Sequence, residues 1–135
     1  MTVNYILMYF RAIITWLFFL PVPIINGFLR EKWYKAVVGE TAAHQIGTLV
    51  VSSVFFIYAY ISLKDKISVL NNVELLKIGL LWLIMTVFFE FGLGLAGGRS
   101  WEYMLADYNI IKGRIWVLVL LTVFTSPFLV KFVTK

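Results

Sequence analysis

The stretch "FFEFGLGLAGGRSWEYMLADYN", Phe88 to Asn109, decides between two kinds of protein. Gly92, Gly94 and Gly97 spell G-x-G-x-x-G, and Gly98-Arg99-Ser100 nearly imitates the end of a phosphate-binding loop. A dinucleotide turn needs a strand before it and a helix after it, inside a βαβ unit. Here an apolar run from Ile78 to Gly98 surrounds the glycines, with Glu90 its only charge. The P-loop fails as well, because Arg99 stands where lysine is required and the spacing is one residue off. Both nucleotide folds are rejected. What fits is a membrane helix that ends at headgroup level, followed by a helix lying on the surface.

Composition points the same way. The chain has 135 residues, of which 61% are hydrophobic and 14% charged, and a mean hydropathy of +0.90. Soluble domains average about 45–50% apolar and about 25% charged residues. A chain of this length has room for one small bundle. There is no cysteine and one histidine, which excludes disulfides, thiolate nucleophiles, cysteine-held clusters and a bis-histidine haem within one chain. The net charge of +5 sits on residues flanking apolar runs, so it reads as topology and headgroup contact rather than nucleic-acid binding. The first cation is Arg11 and no small-x-small cleavage site follows, so the first span is expected to stay as a signal anchor.

A spanning helix needs about 20 apolar residues, because its backbone must satisfy itself without water. Hydropathy places four spans, at about 8–29, 41–63, 75–95 and 114–133. The expected fold is an all-α four-helix transmembrane bundle in a single domain, 1–135, with both termini on one side. Pro21 and Pro23 in "LPVPIING" predict a kink in the first helix and free carbonyls near Leu17 and Phe19. Lys64 to Lys77 reads as a short polar hairpin, whereas Leu29 to Glu40 and Gly94 to Arg114 read as longer joints on the other side. The second long joint predicts an amphipathic interfacial helix at about 100–111, with Ser100 as N-cap and Glu102 in its first turn. Trp101, Met104, Leu105, Tyr108 and Ile111 form its apolar face. Leu29 to Val38 reads as a second such segment, with Phe28, Trp33 and Val37 as its greasy side.

The positive-inside rule does not choose an orientation. Arg11, Lys64, Lys66, Lys77, Lys131 and Lys135 lie on the side of the termini, against Arg30, Lys32, Lys35, Arg99, Lys112 and Arg114 on the other. Most cations of the second set neighbour acids, which favours cytoplasmic termini.

Polar residues inside the spans mark candidate sites. Glu40, His44, Thr48 and Ser52 recur every four residues and share one helical face, with Thr41 and Gln45 beside it. Trp82, Thr86 and Glu90 share a face of the third helix. Glu90 lies near a helix C-terminus, which disfavours an anion, so it calls for a proton or a partner such as His44, Arg30, Arg99 or Arg114. The expected ligand- or lipid-binding set is Arg30, Glu40, His44, Gln45, Glu90, Arg99, Ser100, Trp101, Asp107, Tyr108, Asn109 and Arg114. Asn26, Glu31 and Glu102 lie on the same side, and the opposite side reads as lysines and a hairpin alone.

Several chemistries suit these residues. Glu40 and His44 at i, i+4 with Glu90 have the right types for metal ligands, but membrane metal enzymes use several histidines, so no metal and no cofactor are expected. Glu90 and His44 also suit an acid–base pair acting on a lipid or isoprenoid substrate, although no nucleophile arrangement accompanies them. Transport coupled to protons would use the same pair and would need a homo-oligomer, which Gly39, Gly47 and Gly79 could help to pack. Exposed amides of the glycine-rich turn, the Ser100 helix end and Arg99 suit a headgroup phosphate.

The segments "NGFLRE", "GETAAHQ", "FEF", "SWEYMLADYN" and "GRIW", spanning Asn26 to Trp116, resemble an uncharacterised family of small bacterial membrane proteins with four predicted spans. The resemblance implies a multi-pass protein of the bacterial inner (plasma) membrane and brings no activity with it. No motif resembles the fluoride channels, the small multidrug exporters or the eicosanoid-type four-helix enzymes. The leading expectation is therefore a polar site at one membrane face that binds a lipid headgroup or small polar ligand, with transport as one use. A membrane-embedded enzyme using Glu90 and His44 is the alternative. A structural partner subunit whose buried charges neutralise one another is the third reading. Membrane lipids are the expected partners, with no nucleic acid and no nucleotide.

Overall fold

The protein is described here by a computed structural model, which covers residues 4–98, 100–102 and 117–134. All its regular structure among these residues is helical: α1 Tyr5–Phe19, α2 Pro21–Leu29, a π-helical turn Arg30–Tyr34, α3 Lys35–Val38, α4 Glu40–Leu63, α5 Asn72–Ala96 and α6 Val117–Val133. Three helical stretches are long and apolar enough to cross a membrane: Tyr5–Val38, Glu40–Leu63 and Asn72–Ala96. The described part of α6 is a shorter apolar helix.

Local chemistry sets the ends. Asn4 caps α1 by accepting from the Leu7 amide at 3.1 Å, and Asn71 caps α5 by accepting from the Glu74 amide at 2.9 Å. α3 stops at Gly39, whose φ of 90° is open to glycine and strained for other residues. α5 stops at Gly97 and Gly98, the latter at φ 80°.

The first helix breaks at its proline pair as expected: α1 ends at Phe19 and α2 starts at Pro21, with Leu20 between them keeping helical φ and ψ. Pro21 opens α2 at a position where a missing amide proton costs nothing, and the Leu17 carbonyl that it leaves accepts from the Leu20 amide at 3.3 Å. The helical segment expected over Leu29 to Val38 is present, but it continues α2 through the π-helical turn instead of forming a separate helix, and it ends at Gly39. The resulting 34-residue stretch is about 51 Å long, well beyond a hydrocarbon core of about 30 Å. Its charged part, Arg30 to Lys35, occupies the excess. Gly92 and Gly94 stay inside α5, which runs through the expected third span of about 75–95.

The core is built by one face of each long helix. Ala12, Trp16 and Phe19 from α1 meet Val51, Phe55 and Ala59 from α4, Leu75, Ile78 and Trp82 from α5, and Val119, Val123 and Val130 from α6. The sets recur at three, four or seven residues, the spacings of one helical face. The ring of Phe55 stands edge-on to Phe19 at 4.8 Å and to Trp82 at 5.2 Å, so α1, α4 and α5 share an aromatic centre. α6 packs closely on both α4 and α5. At Gly79 the approach to α6 is so close that a Cβ would collide with the carbonyl oxygen of Phe124.

Polar groups inside the bundle join the helices. The Trp16 indole donates to the Thr86 hydroxyl at 2.9 Å, and the Trp82 indole donates to the Ala12 carbonyl at 2.9 Å. Thr86 in turn donates to the Trp82 carbonyl at 2.7 Å, so its hydroxyl both accepts and donates. The hydroxyls of Thr15 and Ser62 bond at 2.8 Å between α1 and α4. Pro127 inside α6 deprives the Val123 carbonyl of its usual amide donor, and the buried Ser126 hydroxyl replaces it at 2.8 Å. Tyr5 reaches Glu74, and Lys131 donates to Asn72 at 3.1 Å. These two contacts place both ends of the chain beside the start of α5, so the termini share one end of the bundle as expected.

Candidate functional site at the polar end of the bundle

The opposite end is formed by the Arg30–Val38 stretch, the start of α4 and the end of α5. A single π turn lets the chain gain a residue without leaving the helix, and such turns recur at functional sites. Here it brings the Tyr34 hydroxyl back to Asn26, to which it donates at 2.8 Å. The other side of the same amide, Asn26 Nδ2, lies where a Cβ on Gly47 would meet it at 2.7 Å. Gly47 therefore makes room for a polar side chain of α2 against α4, and the three residues form a half-buried polar junction. Arg30 contacts Glu31 at 3.4 Å and Lys35 contacts Glu31 at 3.0 Å. Such exposed pairs contribute little, about 0–1 kcal/mol.

The stripe on α4 runs from solvent to core. Glu40 is exposed, His44 and Gln45 are half-buried, and Thr48 is buried, donating to the His44 carbonyl at 2.8 Å. Ser52 follows, with a buried hydroxyl oxygen that has no hydrogen-bond partner among the described residues. On α5 the expected face is also present: Trp82 and Thr86 are buried, and Glu90 is half-buried. Glu40, His44, Gln45, Glu90 and Ser100 are each engaged in a polar, ionic or ring contact. Arg30 turns its Nε to Glu31. Glu40, His44 and Glu90 do not gather into a group able to hold a metal ion among the described residues. Ser100 precedes a helical Trp101 and Glu102, whereas Arg99, Met104, Leu105, Asp107, Tyr108, Asn109, Ile111, Lys112 and Arg114 lie outside the described residues.

Two features bear on the sequence reading. Two amides of the glycine turn are already engaged: Gly97 donates to the Leu93 carbonyl at 2.9 Å and Gly98 to the Leu95 carbonyl at 3.0 Å. Gly47 and Gly79 face Asn26 and Phe124 of their own chain, and Gly39 makes a turn, so these glycines have work within one copy.

A third feature was missed. The end with the termini is not only lysines and a hairpin, because Glu74 is buried there at 7% exposure. Its Oε1 accepts from the Tyr5 hydroxyl at 3.0 Å, and its Oε2 is buried without a hydrogen-bond partner among the described residues. The available signal was Asn71-x-x-Glu74, the spacing of a helix start, which puts Glu74 on the span rather than in the hairpin.

One hollow lies on the flank of α5. It measures about 430 Å³ and is lined by Val87, Phe88, Phe91, Gly92, Leu95 and Trp101. Trp101 folds back so that its ring lies 5.4 Å from that of Phe91 at 30°.

Compared with models of protein families, with curated proteins and with solved structures, the chain matches none. Its function is read from residues and geometry alone.

Proposed function

We propose that the chain is a four-span integral membrane protein whose polar end binds a lipid headgroup or a small polar ligand. The observation that supports this is the convergence of half-buried polar side chains from three helices at one end. Asn26 comes from α2, His44 and Gln45 from α4, and Glu90 from α5. Polar side chains at such depth are costly in an apolar medium unless partners satisfy them, and they commonly mark binding sites or ion paths. These four side chains supply three kinds of group, a carboxylate, an imidazole and two amides, which between them can donate and accept hydrogen bonds.

Native mass spectrometry of gently delipidated protein tests the reading. The wild-type chain is expected to retain a bound molecule whose mass distinguishes a phospholipid from a small solute. His44→Ala and Glu90→Gln are expected to lose it while keeping the helical circular dichroism of the wild type. Retention of the same molecule by both variants would refute the reading.

A further inference from the structure

Counted along the sequence, the two ends of the bundle carry six cations each, but the structure treats the two sets differently. At the polar end, Glu31 engages both Arg30 and Lys35, and Glu40 and Glu90 stand on the neighbouring helices. At the end with the termini, Arg11, Lys64, Lys66, Lys77 and Lys131 make no ion pair among the described residues. Lys64 lies over the Tyr60 ring at 5.8 Å and Lys131 donates to Asn72, contacts that leave both charges uncompensated. Only two acids accompany these cations among the described residues. Asp65 is exposed between Lys64 and Lys66 in the hairpin. Glu74 has the i, i+3 spacing to Lys77 that suits an ion pair on a helix, yet its carboxylate is buried and bonded to Tyr5 instead. This end therefore turns one acid inward and leaves its cations outward.

We propose that this end gathers anionic phospholipids, of the phosphatidylglycerol kind, around its rim. Arg11 comes from α1, Lys64 and Lys66 follow α4, Lys77 lies on α5 and Lys131 on α6, so the cations surround the bundle. Hydrogen bonds between helices fix their level. Thr15, one turn beyond Arg11, meets Ser62, two residues before Lys64, and Lys131 meets the first residue of α5. Exposed apolar side chains stand among them, including Ile6, Phe10, Val73 and Phe132. Such a rim keeps its apolar side chains in the lipid tails while the long basic ones stretch along them to phosphate level. A zwitterionic lipid balances its phosphate with its own ammonium, whereas an anionic lipid does not, so uncompensated cations favour the anionic kind. Each cation near the surface is worth about fivefold in that attraction. Only lipids of one leaflet that touch a cation gain it, so the average over all lipids around the protein is about twofold. The inference shares with the proposed function only the membrane setting, since it concerns the opposite end and other residues.

The test uses the full chain in phosphatidylcholine bilayers with a trace of lipid spin-labelled on its acyl chain, bearing either a phosphatidylcholine or a phosphatidylglycerol headgroup. The motionally restricted share of each electron paramagnetic resonance spectrum gives the preference of the protein for one headgroup. Wild type is expected to favour phosphatidylglycerol about twofold at low salt. In about 1 M sodium chloride, where the screening length is about 3 Å, the ratio is expected to fall close to one. The four-site variant Arg11→Gln/Lys64→Gln/Lys66→Gln/Lys77→Gln is expected to show a ratio close to one at low salt, with wild-type helical circular dichroism. At the polar end, Arg30→Gln/Lys32→Gln/Lys35→Gln is expected to keep the preference. A wild-type ratio of one, a ratio that salt does not change, or a preference lost with the polar-end cations and kept in the four-site variant overturns the inference. The salt series needs no substitution, so it decides the matter even where a variant does not fold. His44→Ala and Glu90→Gln are expected to keep the wild-type ratio whether or not they shed their retained molecule, so the two readings fail separately.

Discussion

One substitution made at two positions of α5 has opposite expected effects. At Gly79, an added methyl group runs into the backbone of α6: besides the collision with the Phe124 oxygen, it lies 3.2 Å from the carbonyl carbon and 3.7 Å from Cα. A backbone cannot rotate aside as a side chain can, so α5 and α6 must separate by roughly 1 Å to reach ordinary contact. Overpacking of this kind costs about 1–3 kcal/mol, and the better helix propensity of alanine returns about 0.5–1 kcal/mol. Gly79→Ala is therefore expected to lose roughly 1 kcal/mol, the difference between the middles of those two ranges. At Gly92 the same methyl enters open space, so only the propensity gain applies and Gly92→Ala is expected to gain about 0.5–1 kcal/mol. Reversible unfolding of the purified chain in mixed micelles, followed by tryptophan fluorescence, measures both. A Gly79→Ala variant as stable as wild type, or two shifts of the same sign, would refute the proposed contact between α5 and α6.

Two further expectations use the same assay. Ser126→Ala leaves the buried Val123 carbonyl without its hydroxyl donor and is expected to cost about 1–3 kcal/mol; in a Pro127→Ala background, where residue 127 regains an amide proton, the cost should shrink below about 1 kcal/mol. At the other end, Glu74→Gln keeps an acceptor for Tyr5 and leaves no carboxylate in the buried pocket, so stability is expected to hold or rise, whereas Tyr5→Phe is expected to lose about 0.5–1.5 kcal/mol; a marked loss in Glu74→Gln would show that the second oxygen has a partner in solution.

Hydropathy and helical period made much of this legible. The uncharged runs located the apolar helices, and the four-residue spacing of Trp82, Thr86 and Glu90 put them on one face. A face, however, does not name its partner. Trp16 and Thr86 are 70 residues apart, as are Trp82 and Ala12, and no local pattern announces that the two indoles tie α1 to α5 in both directions. Glu74 was hidden for a related reason. A carboxylate beside two asparagines reads as solvated, and only the arrival of Tyr5, 69 residues distant, buries it. The helicity of Arg30–Val38 was legible, but its charges concealed that it continues the first helix, since nothing in it breaks a helix before Gly39.

The glycines show where a sequence reading reaches its physical limit. Gly47, Gly79 and Gly92 are alike in sequence, single small residues within apolar helices. In space they divide by what a Cβ would touch: an amide side chain at Gly47, a backbone carbonyl at Gly79, nothing at Gly92. The first two sites oppose enlargement in different degrees, since a side chain can yield and a backbone cannot. The third does not oppose it at all, so packing within the chain does not explain why a residue unfavourable to helix stands there. A bulky side chain at Gly92 is therefore expected to leave the packing of the described helices intact, whereas a bulky side chain at Gly79 is expected to force α5 and α6 apart.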